Sequence, residues 1–477
     1  MPSAPSHLGQ HSTPIGRPHV VIQHPAMTAP RDVRRARQVT VAALIGTTLE
    51  WYDFFIFGTA AALVFNKQFF VSNDPIIGVL ASFATLAVGF GARPIGGLIF
   101  GRLGDRIGRR TTVLITIGLI GLVTGAIGIL PNYSSIGVWA PVALVALRLT
   151  QGLALGGEWS GAVVMTSEHA PSHRRALYTA IPLIGSPLGT LLSSGAFLAV
   201  AALPGESFNT WGWRLPFLAA FPLLLVALYI RWKLDESPDF RTLVESGAVE
   251  KSPVSMVLRS MYRQLLAGAA ASLIGMGGFY LVTTFVISYG TRVLHLSRSL
   301  LLLATLFGAV AESGVLIAAG YLALRYGVYK VAAVGGMLSM VVAWPVFLAI
   351  DSRQPVVVVI AIVVAIIALN IAYGVCGTLM AGLFPAPLRY TGVALASNTA
   401  ATFSGAVPLL ATYFLTLTGD QSWPSAALFA VMGAITTVGA LSARSLAADP
   451  QAPTRHGPVA TADERQSFEH VANAATS

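Results

Sequence analysis

A few charged residues stand inside long apolar runs of this sequence, where they could do chemistry: Glu50, Asp53, Arg93, Arg148, Glu158 and Glu312. A charge at the centre of a membrane span costs at least about 2.5 kcal/mol, so each needs a function or a partner to explain it. Glu50 and Asp53 are three residues apart, on one helical face. Two carboxylates side by side in a low-dielectric cleft repel and lose hydration, so one of them is expected to hold a proton. That is what a proton carrier needs; the competing role is a structural pair with arginine. Arg148 cannot shed its charge, so its burial calls for a carboxylate: Asp53, Glu50, a substrate anion, or each in turn. Gln151 and Glu158 fall within about 80° of Arg148 around a helix, which makes the three a candidate substrate-binding set. Arg93 and Glu312 read as members of ion pairs, with substrate contact the lesser role for Arg93. Tyr280, Asn370 and Asn398, with Thr283 and Thr284, are candidates for lining the other half of a polar cavity.

These residues can be positioned only by membrane-spanning helices. Of the 477 residues, 55% are hydrophobic and only 10% are charged, with mean hydropathy +0.70. Soluble domains carry roughly 25% charged residues, and a chain this long with so few could not wet its surface. A span needs about 20 apolar residues. The runs fall near 39–64, 77–100, 111–130, 138–166, 176–203 and 214–232, then near 264–290, 299–323, 330–350, 355–380, 390–417 and 423–446. The expectation is an all-α membrane protein of about twelve transmembrane helices.

The basic residues test that layout. With the N-terminus inside, Lys67, Arg214, Arg292, Arg298 and Arg353 fall outside, Arg93 and Arg148 lie within spans, and every other Lys and Arg falls inside. Such a bias sets orientation, with both termini cytosolic. It also accounts for the net charge of +10 without nucleic acid. The only cysteine, Cys376, excludes an intrachain disulfide and a thiolate metal cluster. No paired histidine metal motif, nucleophile constellation or phosphate-binding Gly-Lys-Ser/Thr loop is present, so the chain reads as no enzyme, with no metal and no cofactor.

The polar stretch 233–262 splits the spans six and six. Gly101-Arg-Leu-Gly-Asp105-Arg106-Ile-Gly108-Arg109-Arg110 aligns with Gly320-Tyr-Leu-Ala-Leu324-Arg325-Tyr-Gly327-Val328-Tyr329, and Pro171 with Arg175 aligns with Pro385 and Arg389, at nearly equal offsets. Two related bundles are expected: a disordered cytosolic tail 1–38, an N-terminal six-helix bundle 39–232, a cytosolic linker 233–262, a C-terminal bundle 263–446 and a disordered cytosolic tail 447–477.

The Gly101–Arg110 run resembles the loop signature of the major facilitator superfamily, Gly-x-x-x-Asp-Arg-x-Gly-Arg-Arg, and meets every named position. Glu50-Trp-Tyr-Asp53-Phe-Phe, Ala92-Arg93-Pro-Ile-Gly-Gly97, and Arg148-Leu-Thr-Gln151-Gly152 with Gly156-Gly-Glu158-Trp159 are similar to the metabolite:H⁺ symporter family within it. Members of that family carry shikimate, α-ketoglutarate, citrate, or proline and betaine. Gly58–Phe65 and Glu168–Pro171 look most like the shikimate-type branch. The resemblance implies the major facilitator fold, two pseudo-symmetric bundles rocking around a central cavity, and gating by Gly101, Asp105, Arg106, Gly108, Arg109 and Arg110. Asp105 would latch the cytosolic side through a charge–dipole contact; its counterpart Leu324 could not.

The reading is a monomeric, multi-pass carrier of the cell inner (plasma) membrane. It takes up an organic acid or zwitterion such as shikimate or a dicarboxylate, with protons as the energy source. Asp53 and Glu50 couple the proton, and Arg148, Gln151, Glu158, Tyr280, Asn370 and Asn398 meet the substrate. A same-fold exporter or exchanger and a non-transporting membrane sensor are the alternatives.

Overall fold

The computed structural model describes residues 30–447, apart from 73–74, 108, 157–162, 165, 168–169, 171 and 233–252. It describes the backbone alone of 30–36, 75, 101–107, 109–113, 172, 205, 227, 230–232, 253 and 386–387. Glu158, Gly108 and most of the two tails and the linker therefore lie outside the described residues.

Among the described residues the apolar runs form helices. In the first half these are α1 (Pro30–Leu63), α2 (Pro75–Ile107), α3 (Arg109–Ile129), α4 (Trp139–Leu155), α5 (Arg175–Ala201) and α6 (Ala220–Trp232). In the second they are α7 (Tyr262–Arg292), α8 (Arg298–Tyr326), α9 (Val328–Asp351), α10 (Pro355–Leu383), α11 (Ala386–Leu417) and α12 (Trp423–Leu446). Among the described residues nine helices are long and apolar enough to cross a membrane, and shorter apolar helices stand at Leu114–Ile129, Trp139–Leu155 and Gly212–Val226.

One boundary needs correcting. The tail was expected to run to residue 38, but α1 starts at Pro30. Proline's fixed φ and missing N–H suit the first turn of a helix, and the Arg-Asp-Val-Arg-Arg that follows has nothing to break it. Within the linker, Pro253–Ser260 forms a short helix that buries Val257 against the second half and leaves Met256 and Leu258 exposed.

Within the first half, α1 packs on α5, α2 on α4, and α3 on α4 and α6; within the second, α7 packs on α12 and α11, and α9 and α8 on α10. The halves meet along two seams, α2 against α11 and α5 against α8. Lipid tails are as apolar as leucine, so helices associate here through close packing of small residues rather than through water exclusion. A Cβ on Gly336 of α9 would lie 2.7 Å from the Gly433 carbonyl oxygen of α12, and one on Gly439 of α12 2.5 Å from the Ala271 amide of α7. Gly320 of α8, the repeat's counterpart of Gly101, comes within 3.3 Å of Ala180 of α5 by the same measure, so the second copy of the motif does bring the halves together. Gly327, the counterpart of Gly108, ends α8 with φ of 88°, a conformation that only glycine adopts without strain.

Candidate functional site

The site begins with how α2 and α4 are pressed together. A Cβ on Gly152 would run into the carbonyl oxygen of Gly89, one on Gly96 into that of Leu153, and one on Gly156 into Arg93 O and Gly97 N. At this approach long side chains are forced out of the contact. Arg148 passes over Gly89, whose absent Cβ would lie 2.5 Å from its Nε.

Arg148 is fully enclosed. Its guanidinium carbon lies 4.2 Å from the ring centroid of Phe57 and 5.1 Å from that of Phe54, which offsets part of its desolvation through cation–π attraction. Among the described residues its only hydrogen bond is from Nη1 to Gln151 Oε1, while Nε and Nη2 have none. Gln151 in turn donates from Nε2 to Asp53 Oδ2, and to Thr124 Oγ1 at 2.8 Å; Thr124 Oγ1 donates to Asp53 Oδ1. Asp53 is thus joined to Arg148 through one amide, not by direct ion pairing.

The direct pair is elsewhere. Arg93 Nη2 donates to Glu50 Oε1 at 2.7 Å, with both side chains over nine-tenths buried. Arg93 precedes Pro94 inside α2. Proline cannot bond back four residues, which frees the carbonyl of Phe90. Thr402 of α11 donates to that carbonyl at 3.3 Å, so the break that sits beside Arg93 is sealed from the other half. Asn398, one turn earlier on α11, donates to Gly156 O at the end of α4 at 2.6 Å.

Two voids meet at Glu50. One lies between the halves, bordered by Glu50, Trp51, Phe90, Arg93, Met276, Tyr280, Ser397, Asn398 and Ala401. The other is a cleft within the first half between α1, α3 and α6 that reaches Glu50, Asp53 and Thr124. Tyr280 stands between two π-helical turns, Ile274–Gly278 and Leu281–Phe285. Such wide turns re-aim side chains and recur at functional sites. Its ring meets Phe90 at 5.3 Å, and its hydroxyl has no hydrogen-bond partner.

The structure therefore gathers Glu50, Asp53, Arg93, Arg148, Gln151 and Tyr280 at one level, with Asn398 bordering the same inter-half void. It separates what the sequence grouped in three respects. Arg148 is caged by rings and does not border the inter-half void; Arg93 does. Among the described residues Glu312 pairs with no cation: its Oε1 accepts from Ser186 at 2.9 Å. Arg93 and Glu312 are on separate seams, so the nearest base for Arg93 is Glu50. Asn370 spends its amide on Ile366 O at 2.9 Å, leaving Oδ1 without a partner. Glu158 and Gly108 lie outside the described residues, and Gly101, Asp105, Arg106, Arg109 and Arg110 are described in backbone only. Sequence reasoning missed Thr124, Gly89 and the rings of Phe54, Phe57 and Phe90. Gly89 alone left a signal: with Gly96 it adds to the small residues at which neighbouring helices can approach closely.

Comparison with known proteins gives the family and the fold. A model of the Major Facilitator Superfamily matches residues 43–407. The chain is 35% identical over 409 residues to the shikimate transporter of Escherichia coli (strain K12), covering 85% of this chain and 93% of that one. It is 32% identical over 422 residues to the proline/betaine transporter of the same organism, covering 85% and 84%. Among solved structures, a D-xylose–proton symporter superposes with TM-score 0.68 at 19% identity, covering 88% of this chain and 99% of that one; it speaks for the fold. With its membrane helices, its inter-half void and these relatives, the chain belongs to the Major Facilitator Superfamily and is a multi-pass transporter rather than an enzyme.

Proposed function

We propose that the chain takes up a small carboxylated metabolite, an organic acid or a zwitterion, together with protons across the cell inner membrane. The observation that carries this reading is the Glu50–Arg93 pair bordering the void between the halves. Arg93 is the cation at that void, and Glu50 holds it. A proton on Glu50 cancels the competing charge and turns Arg93 toward a substrate carboxylate. Loading of the solute then follows loading of the proton, which is the order symport requires. Asp53, on the cleft side, accepts a proton in the same cycle, and Gln151 passes its change of charge to Arg148. Tyr280 and Asn398 stand ready on the opposite wall. The substrates in the relatives' names, shikimate in one and proline and betaine in the other, all bear a carboxylate, in keeping with a cationic site.

Alternating access would proceed by rocking of the two halves, 39–232 against 263–446, about the seams. Both termini and the linker 233–262 would face the cytosol, by the placement of the basic residues. The Asp105 region would latch the cytosolic side.

The test is uptake of a panel of radiolabelled organic acids and zwitterions into vesicles, with and without an inward proton gradient. Gradient-stimulated accumulation of a carboxylated solute is the expected result. Accumulation driven by an outward gradient would make the chain an exporter. No movement of any solute on the panel would remove the reading.

A further inference from the structure

Glu312 is a buried carboxylate that the foregoing account does not use. It lies in the middle of α8, fully enclosed, at the seam where α8 meets α5 of the other half. Ser186 of α5 donates to its Oε1 at 2.9 Å, and its Oε2 has no hydrogen-bond partner. The groups facing it can be followed around the helix. From α5 the bonded group is Ser186. From α10 come the hydroxyl of Tyr373 and, beside it, the thiol of Cys376. Gly308 of α8 abuts Ile366 and Leu316 abuts Gly374, so Asn370 stands level with Glu312 on α10. The Tyr373 hydroxyl and Asn370 Oδ1 also lack partners. Tyr373 is also within electrostatic reach of Glu50 and Tyr280. α9 and the last turn of α7 also touch α8. Their titratable groups, Tyr329, Lys330, Asp351, Tyr289 and Arg292, stand toward helix ends, as do Arg298 and Arg325 on α8 itself. Among the described residues no Arg, Lys or His pairs with Glu312.

Asp53 and Glu312 differ in their partners. Asp53 accepts two hydrogen bonds and has an arginine one amide away. Glu312 has one hydroxyl for two oxygens and no cation, in a medium that excludes water. An unpaired ion at such a site neutralises itself rather than remain charged.

We propose that Glu312 is a further proton-binding site, apart from the α1 carboxylates, protonated while α5 and α8 are closed on each other and ionised when that seam opens to water. The same seam is held by Thr305 donating to Ser194 at 3.0 Å and by Gly320 against Ala180. Parting it would hydrate the carboxyl, whose proton leaves to the admitted water as hydronium; reclosure requires one proton back from that water. Protonation thereby becomes a condition for closing the seam. Its part in transport rests on the reading of the chain as a proton-coupled carrier; the protonation itself does not.

The test is infrared spectroscopy of the full chain in lipid, titrated with pH, in the carbonyl band of protonated carboxyl groups. The wild type and Asp53→Asn should share a component of this band at neutral pH that is missing from Glu312→Gln. Gly320→Trp, which wedges the seam apart, should make that band titrate away at lower pH than in the wild type. Superposable wild-type and Glu312→Gln spectra across the titration would overturn the proposal. So would misfolding of Glu312→Gln, because an uncharged isostere should replace a protonated acid. A band present in a chain that shows no proton-driven uptake would retain this site while removing the proposed function. Proton-driven uptake without the band would do the reverse.

Discussion

Replacing Arg93 with glutamine separates the two arginines. Arg93 lies 2.7 Å from Glu50 with both side chains almost wholly buried. At an effective dielectric of about 20, unit charges at that separation attract by about 6 kcal/mol. Desolvation offsets most of it, and hydrogen bonds to charged groups retain roughly 1.5–3 kcal/mol. A substrate carboxylate that takes the place of Glu50 inherits that term, so Arg93→Gln should weaken solute binding by about 10- to 150-fold. Arg93→Lys should recover only part, since a point charge cannot copy a forked guanidinium. Glu50→Gln should remove the pH dependence of binding, because the competing carboxylate is gone at every pH. Equilibrium binding of labelled solute to purified protein, measured across pH, reads all three. If Arg93→Gln bound within about threefold of wild type while Arg148→Gln lost binding, the anion site would be at Arg148, and the reasoning from the void would fail.

Gly152→Val should sharply lower folded yield and melting temperature, as its side chain would meet Gly89 O and lie 3.1 Å or less from Ala92 Cβ; Gly91→Ala, with nothing within 4 Å, should be silent. Equal melting curves would refute the close approach of α2 and α4. Asp105→Asn should shift the carrier toward its inward-open state, read by labelling of cavity cysteines, and Leu324→Ala should shift it far less; equal shifts would argue against a one-sided latch. Cysteines placed at Ser3, Ser246 and Ser477 should resist impermeant label in intact cells, against a low background because the native Cys376 is fully buried; strong labelling at any of them would overturn the topology.

Much of this fold was legible because its signal is long and redundant. Apolar runs of span length, together with arginines that alternate in side, place helices with little help from tertiary context. Boundaries were less legible: nothing polar about Arg31 to Arg37 forbids a helix, so α1 runs past the apolar run into the basic segment. At the site, residue types were readable but partners were not. Glu50 and Asp53 share a helical face, yet they turn to different arginines because α2 and α4 cross at their glycines, a matter of packing between distant segments. Thr124 looked like any hydroxyl in an apolar helix until α3 brought it to Asp53. Thr402 found its role only because Pro94 freed a carbonyl on a helix over three hundred residues away in sequence.

The central claim is that solute movement is tied to a proton on the α1 carboxylates. It is tested most directly by Asp53→Asn in proteoliposomes loaded with the transported solute, with net accumulation and solute exchange measured side by side. Asparagine keeps the planar shape of the carboxyl that Thr124 and Gln151 surround but can neither take up nor release a proton. The account predicts that accumulation driven by the proton gradient is abolished while exchange of internal for external solute persists. Accumulation at the wild-type level by Asp53→Asn would contradict it.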